Sequence, residues 1–284
     1  MKNATLLVVL GIGAKPTDLE PLSSSARDNN LHLNVLVLGG MPPLPVFNYG
    51  MGGYGGTPIP DYWHEQVDTQ NRTLDQNRKE ISRYLADQGA SAEVRVVSGE
   101  TTALMDAVAG IALACDRVVF GDDLRDDPQL FNDALRAALF RAPAGVMLNA
   151  LQSPSALAPK SVFVSWKASV AASRAAHVAL PTLRRADTVT LALFDPVATS
   201  AQDGENPGSD VAAWLTHQGC SVEVQQYPSG GGEISKALMQ RAKETSADLI
   251  VMGAYDHSRL RETVFGGTTR SMIEQHGVPV LLTH

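Results

Sequence analysis

The residues best suited to bind a ligand lie near the end of the chain, within residues 247–284. An apolar run ends at Gly253 and a charged loop follows it. Four small residues then precede a helical pattern, namely Gly266, Gly267, Thr268 and Thr269. Backbone N–H groups at a helix N-terminus are unpaired and the helix dipole is positive there, so such a start can hold an anion. The pattern predicts a phosphate-binding turn, or alternatively a turn in which glycine and threonine serve only backbone geometry and helix capping.

This segment resembles the C-terminal signature of the universal stress protein family, whose nucleotide-binding members carry G-x2-G-x9-G followed by Ser or Thr. Gly253 and Gly266 match the first and third glycines in register, and apolar strand patterns flank the segment. Asp256 stands at the second glycine, and Gly267 stands at the Ser/Thr position with threonines directly after it. The resemblance implies a stress-response protein whose C-terminal domain binds ATP or AMP, and it leaves open whether a metal takes part.

Two residues depart from what the resemblance implies for a nucleotide site. Nucleotide-binding relatives usually carry an acidic residue after the first strand, where this chain has Lys167. A carboxylate at Asp256 lying ~4 Å from a phosphate would cost about 4 kcal/mol per charge pair at an effective dielectric of about 20. Lys167 either contacts the phosphate itself or pairs with Asp256 and fills the pocket, unless the two replacements arose as separate losses. The alternative function is therefore a scaffold that binds proteins and no nucleotide.

In an open parallel sheet, ligands bind beyond the carboxyl ends of the strands, at the point where the strand order reverses. In the second half of the chain this point is expected between the strand that begins near Ser161 and the strand that ends at Gly253. The predicted nucleotide-binding residues are Ser165, Trp166, Lys167, Gly253, Asp256, Gly266, Gly267, Thr268 and Thr269.

The chain alternates strand and helix patterns, and its second half repeats the first. The sequence QGASAEV from Gln88 resembles QGCSVEV from Gln218, at an offset of 130 residues. Gly121, which ends one apolar strand, corresponds to Gly253 at an offset of 132 residues. A repeat of this size, with strands and helices alternating in each copy, indicates two doubly wound α/β domains.

We therefore predict two tandem flavodoxin-like domains, each built on a doubly wound parallel sheet of five strands. Residues 1–150 form the more divergent domain, residues 151–160 a linker with Pro and Ser, and residues 161–284 the better preserved domain. The last strand, Val278 to Leu282, and its counterpart, Gly145 to Asn149, are apolar and are expected at sheet edges, which seek partners. Their pairing would make a pseudo-dimer within the chain, and a similar contact would permit a homodimer.

The first copy is longer than the second by about 25 residues, which lie before Gln88. The added sequence includes Gly39–Pro60, with the string GMGGYGG, and it is followed by a long polar helix pattern over Asp61–Gln88. We interpret the glycine-rich stretch as a tolerated insertion, and a lid or a partner-binding surface is the alternative.

The first half offers a poorer ligand site, because an acidic loop follows Gly121. Asp122, Asp123, Asp126 and Asp127 lie there without a second or third glycine, and carboxylates repel phosphates. A solvated polar loop is the simplest interpretation, and a divalent metal site is the alternative. We therefore expect any nucleotide to bind only to the C-terminal domain.

Composition argues against several classes of function. The 284 residues carry a net charge of −7, which gives no basic surface for nucleic acid. Cys115 and Cys220 form no metal or redox pair in sequence, which suits the reducing cytoplasm. The apolar run after Lys2 is interpreted as a first strand instead of a signal peptide, so we expect a cytoplasmic protein that binds no membrane. Because no catalytic motif is present, we expect no catalytic residues, with weak nucleotide hydrolysis as the upper limit.

Overall fold

The computed structural model describes residues 2–44, 59–199, 205–254 and 267–284. Most of the predicted glycine-rich loop lies outside the described residues, as do Asp256 and Gly266. The β-strands of the described part of the chain are β1 (Thr5–Gly11), β2 (His32–Gly40), β3 (Ser91–Gly99), β4 (Arg117–Phe120), β5 (Gly145–Leu148), β6 (Ser161–Trp166), β7 (Thr188–Phe194), β8 (Val222–Tyr227), β9 (Leu249–Gly253) and β10 (Val280–Thr283).

The α-helices of the same residues are α1 (Glu20–Asn29), α2 (Asp61–Asp87), α3 (Thr101–Ala112), α4 (Pro128–Arg141), α5 (Pro154–Leu157), α6 (Val170–Leu183), α7 (Ser209–His217), α8 (Ile234–Glu244) and α9 (Gly267–Glu274). Two 3-10 helices, Pro16–Leu19 and Asp122–Asp126, follow the ends of β1 and β4. We call the second of these the acidic turn.

The described strands form one sheet in the order β3-β2-β1-β4-β5-β10-β9-β6-β7-β8. Neighbouring strands are parallel throughout, except for β5 and β10, which are antiparallel. Each half therefore contributes five parallel strands in the same spatial order, with its first strand between its second and fourth. Helices cover both faces, since one core cluster contains residues of α1, α2, α6 and α7 and the other contains residues of α3, α4, α8 and α9. This arrangement confirms the predicted doubly wound α/β fold.

The central strands are buried on both faces, which explains their continuous apolar runs. The side chains from Leu6 to Leu10 in β1 are completely buried, as expected for a parallel strand covered by helices on both sides. The outermost strands differ, because most residues of β8 are exposed and β3 carries the surface ion pair of Glu93 with Arg95. Charged side chains on such outer strands discourage pairing with other chains.

The two halves meet where β5 pairs with β10, and we call this pairing the seam. Val280, Leu281 and Leu282 lie opposite residues 148, 147 and 146 of the first half. All the residues of both strands are buried. The expected pairing of these two strands is therefore confirmed, and the chain has the internal pseudo-dimer arrangement that we predicted.

Two arginines of the first half also cross the seam, one on each face of the sheet. Arg117, at the start of β4, is buried, and its guanidinium donates a hydrogen bond to the Val178 carbonyl of α6. Burial lowers the pKa of Arg117 to about 10, so this group stays charged at neutral pH. Arg125, in the acidic turn, donates to the Ile273 carbonyl of α9 at 2.6 Å. Charge-assisted hydrogen bonds of this kind are stronger than neutral ones, so they strengthen the contact between the halves.

Two local features differ from the sequence-based expectations. The segment predicted as a linker contains the short helix α5, and Ala156 and Leu157 of this helix are buried in the same core cluster as α1. Helix α6 also continues through Pro181 to Leu183, although a proline usually ends or kinks a helix. Pro181 costs α6 one hydrogen bond from the missing N–H, and burial of the apolar side of the helix compensates for this loss. Among the described residues, none of the helices combines the length and the hydropathy needed to cross a membrane.

We predict that residues 161–284, expressed alone, fold and self-associate through β10. Without the first half, the buried strand from Val280 to Thr283 becomes an open apolar edge, and such an edge pairs with another chain. Light scattering after size exclusion should show a dimer of the fragment. The intact chain serves as the control, because its β10 is already paired and should not associate through that strand. A fragment that stays monomeric at high concentration would contradict the prediction.

Candidate functional site

The carboxyl ends of β6 and β9 form the point at which the strand order of the second half reverses. β6 lies between β7 and β9. The chain therefore continues from β6 to the strand on one side, and later returns to form the strand on its other side. Ser165 of β6 is in register with Met252 of β9, and the last residues of the two strands, Trp166 and Gly253, follow side by side. We call the space beyond these ends the C-terminal crevice. Its position is that of ligand sites in open α/β sheets.

Gly253 allows helix α6 to approach the sheet closely. A Cβ atom at this position would lie 2.5 Å from both the carbonyl carbon of Ala171 and the backbone nitrogen of Ala172. Real Cβ atoms do not come so close to a backbone, so the first turn of α6 lies against the end of β9 only because residue 253 is glycine. Ser169 is the N-cap of α6, since its hydroxyl accepts a hydrogen bond from the Ala172 N–H at 3.3 Å.

Helix α9 supplies the second helix start of the site. It begins at Gly267, so Gly267, Thr268 and Thr269 lie inside the helix and not before it as predicted, and the Ser271 hydroxyl donates to the Gly267 carbonyl at 3.0 Å. Thr269 is buried, whereas Thr268 is half-buried and Gly267 is exposed. The buried side of α9 continues with Met272 and Ile273, which pack with α4 and α8. Core packing therefore fixes α9 and leaves its first residues accessible.

The predicted site residues are divided between the described residues and those that lie outside them. Ser165 and Trp166 are half-buried at the end of β6, and Lys167 is exposed directly after them. Asp256 and Gly266 lie outside the described residues, so the predicted ion pair between Lys167 and Asp256 stays a prediction. Among the nine predicted residues, the strand pairing brings together those from the ends of β6 and β9.

The corresponding place in the first half, which we call the N-terminal crevice, contains a side chain of the protein itself. β1 and β4 are parallel neighbours, and they end at Gly11 and just before Gly121. The Asp123 carboxylate lies between these ends and accepts a hydrogen bond from the Gly11 N–H at 2.8 Å. A Cβ atom would lie 2.8 Å from Asp123 Oδ2 at Gly11 and 2.6 Å from Oδ1 at Gly121. Both glycines are therefore needed to make room for the carboxylate.

Burial raises the pKa of Asp123 to about 6, and the neighbouring carboxylates of Asp18 and Asp126 also raise it. The hydrogen bond from Gly11 acts in the opposite direction and only partly compensates. A carboxyl group with this pKa exchanges its proton near neutral pH, unlike an ordinary surface aspartate. The acidic residues predicted a solvated polar loop, which was wrong for Asp123 because its carboxylate lies between the strand ends. The sequence feature that could have indicated this role is an acidic residue two positions after Gly121, the glycine at the end of the β4 strand pattern.

Helix α2 makes further contacts with the loops at the same edge of the sheet. Asn77 donates a side-chain hydrogen bond to the Ile12 carbonyl at 2.7 Å, and Gln70 donates to the Gly40 carbonyl at 2.7 Å. These bonds satisfy the carbonyl of the residue after β1 and that of the last residue of β2. The N-terminal crevice is therefore occupied and bordered by the side chains of the first half, which supports the expectation that it takes no phosphate.

We predict that Gly253→Ala destabilises the protein, whereas Gly267→Ala does not. The new methyl group at 253 must displace the α6 backbone, and overpacking of this kind costs about 1–3 kcal/mol. At 267 no heavy atom lies within 4 Å of the added Cβ, and alanine favours a helix by up to about 1 kcal/mol over glycine. Urea unfolding of the two variants measures the difference directly. Equal midpoints for Gly253→Ala and the parent would show that α6 does not depend on this contact.

Comparisons with known proteins agree with this description. Residues 162–284 match the model described as the universal stress protein family. Universal stress protein Slr1230 from Synechocystis sp. (strain ATCC 27184 / PCC 6803 / Kazusa) is 36% identical over 67 residues, which cover 24% of this chain and 22% of that protein. The matched part thus spans less than a quarter of this relative's length.

Two solved structures cover almost the whole chain. A universal stress protein from Archaeoglobus fulgidus DSM 4304 aligns with a TM-score of 0.68 at 15% identity, over 99% of this chain and 96% of that one. A putative universal stress protein from Pseudomonas aeruginosa UCBPP-PA14 aligns with a TM-score of 0.56 at 15% identity, over 99% and 93% of the two chains. At such identities the likeness concerns the fold. Over nearly its whole length this chain has the fold of these structures, and its residues 162–284 match the universal stress protein family.

Proposed function

We propose that this protein is a universal stress protein that senses nucleotides and binds ATP or AMP in its C-terminal crevice. The observation that carries the proposal is the strand order β7-β6-β9, which places the ends of β6 and β9 side by side where the sheet connections diverge. Pockets at such switch points are the usual ligand sites of doubly wound sheets. We place the protein in the cytoplasm, where its two buried free thiols, Cys115 and Cys220, would stay reduced.

The residues around the C-terminal crevice suit the parts of a nucleotide. The accessible start of α9, at Gly267 and Thr268, offers phosphate oxygens a hydroxyl and N–H groups that have no partner within the helix. Trp166, half-buried at the end of β6, offers an aromatic surface beside Gly253. Lys167 is exposed next to it and adds a positive charge at the same edge. These groups combine one apolar surface with anion-binding groups, which is the composition of a small-molecule site.

The comparison between the two halves supports a single binding site. In the N-terminal crevice the Asp123 carboxylate already accepts the hydrogen bond of the Gly11 N–H. Asp18 and Asp126 face the same carboxyl group, so a phosphate there would meet three acidic side chains. Like charges at such short range cost several kcal/mol at intermediate dielectric. The nucleotide therefore binds only in the second half.

The second candidate function is a scaffold that binds other proteins and no nucleotide. Asp123 favours it, because this chain already closes one of its two crevices with its own carboxylate. If Lys167 and Asp256 form the predicted pair, side chains of the protein itself also fill the C-terminal crevice. Protein partners would then bind to the outer surface of the two halves.

Thermal unfolding in the presence of ATP, ADP or AMP separates the two candidates. A ligand at ~100 times its dissociation constant should add about 2.7 kcal/mol of stability, or roughly 5 °C in melting temperature for a chain of this size. No shift with any of the three at millimolar concentration would favour the scaffold.

A charge placed at the start of α9 tests where the nucleotide binds. We predict that Thr268→Glu abolishes the ATP-induced shift, because its carboxylate repels the phosphates at the helix N-terminus. Thr102→Glu is the matched control, since Thr102 holds the second position of α3 and is exposed. The control variant should keep the full shift. An unchanged shift in Thr268→Glu would place the phosphates elsewhere.

A further inference from the structure

The acidic turn, Asp122–Asp126, is held against the first half of the molecule by Asp123 and Leu124. The Asp123 carboxylate reaches between the ends of β1 and β4 and accepts the Gly11 N–H at 2.8 Å. It also fills the space beside Gly121, where an added Cβ would lie 2.6 Å from Oδ1. The next residue, Leu124, is buried in the core shared with α4. The position of the turn therefore depends on how well this carboxyl group fits between the strand ends.

Two residues further on, the same turn is attached to the second half. Arg125 donates to the Ile273 carbonyl of α9 at 2.6 Å and to Asn149 Oδ1 at 3.0 Å. The Asn149 amide in turn donates to the carbonyls of Gln275 at 2.9 Å and Val278 at 3.1 Å, which lie between α9 and β10. The Arg125 guanidinium also makes a cation–π contact with Phe131, since its Cζ lies over the ring at 4.8 Å from the centroid. Arg125 thus links the acidic turn to the end of α9.

We propose that the acidic turn transmits the protonation state of Asp123 in the N-terminal crevice to helix α9 in the second half, through Arg125. Three residues of one short 3-10 helix span the whole path, so a shift of the turn at Asp123 moves the Arg125 backbone as well. The opposite end of α9 is the helix start at the C-terminal crevice. The coupling concerns the helix itself and holds whether or not a nucleotide binds there.

The surroundings of Asp123 determine the direction of the effect. Asp18 comes from the 3-10 helix after β1, and Asp126 comes from the acidic turn itself. The strand ends contribute glycines and backbone groups, and the Arg125 guanidinium points away to the seam. Asp122 is half-exposed and lies 3.9 Å from that guanidinium. The ionised carboxylate is therefore buried among other carboxylates, and the neutral acid fits the site better.

The sign of the pH effect follows from the pKa of Asp123, which is raised to about 6 from the ordinary value of 3.8. A group whose pKa is raised by folding stabilises the native state in its protonated form. That contribution is complete below pH ~4 and is lost as the pH rises through about 6. The acidic turn is therefore held more firmly at pH 5 than at pH 7.5, and α9 follows it.

Hydrogen exchange of the intact chain at pH 5 and pH 7.5 tests the coupling, with rates expressed as protection relative to the unfolded chain. We expect protection of Gly11 and of the amides from Thr269 to Gln275 to fall about tenfold between the two pH values. A pKa raised by about two units allows protection to change by up to ~100-fold, and partial exposure of the carboxyl group reduces this change. In Asp123→Asn, whose amide cannot ionise, protection of both segments should stay constant. An unchanged pH dependence in that variant would overturn the proposal.

Two further variants separate the steps of the path. In Arg125→Gln the side chain is too short to reach α9, so Gly11 should still respond to pH while α9 no longer does. Asp126→Asn removes one facing charge and should weaken the response at both places. Asp133→Asn, at a half-buried position of α4 where the carboxylate accepts a hydrogen bond from the Gln129 side chain, is the control and should behave as the parent. A response of α9 that persists in Arg125→Gln would show that the signal takes another path.

Melting temperatures provide a second, independent measurement. We predict that Asp123→Asn melts about 2–4 °C above the parent at pH 7.5, because the penalty for a buried ionised carboxylate is gone. The difference should shrink from pH 6 downwards and disappear near pH 4, where the parent carboxyl group is also neutral. A variant that is less stable than the parent at pH 7.5 would show that the ionised form of Asp123 is the favoured one.

Discussion

The antiparallel pairing of β5 with β10 is the contact on which both halves of the molecule depend. Each half has a five-stranded parallel sheet whose fifth strand is short, apolar and completely buried. Such a strand cannot remain at an exposed edge, because its apolar side chains and unpaired backbone groups would both face water. Pairing the two strands with each other removes both problems at once. The partly buried hydrogen bonds of Arg117 and Arg125 then hold the helices of the second half against the first.

Although the halves share one topology, their crevices have diverged in chemistry. In the first half, Gly11 and Gly121 make room for the Asp123 carboxylate. In the second half, Gly253 serves a different purpose, since it lets the first turn of α6 lie against the end of β9. A glycine at the end of the fourth strand is thus kept in both copies for different physical reasons. The same backbone position supports a filled crevice in one half and the close packing of a helix in the other.

The acidic turn joins these two specialised ends of the molecule. Its residue Asp123 belongs to the filled crevice of the first half, and its residue Arg125 reaches the helix that borders the crevice of the second. Leu124 lies between these two residues and is buried, which leaves the short 3-10 helix little freedom to bend. A displacement of Asp123 therefore also displaces Arg125. Within the universal stress protein fold, this contact gives the divergent half a role in the behaviour of the other.

The sequence alone determined the architecture, and the tertiary structure decided the chemistry of the crevices. Apolar runs such as the one from Leu6 to Leu10 predicted buried parallel strands, because burial on both faces demands apolar side chains at every position. The internal repeat predicted two copies of one topology, because each copy has the same alternation of strands and helices. What lies beside Gly121 did not follow from the sequence, since the pattern of acidic residues is the same whether Asp123 faces water or the strand ends. Only the path of the folded chain turns this carboxylate inward, and the resulting loss of water changes its pKa and its function.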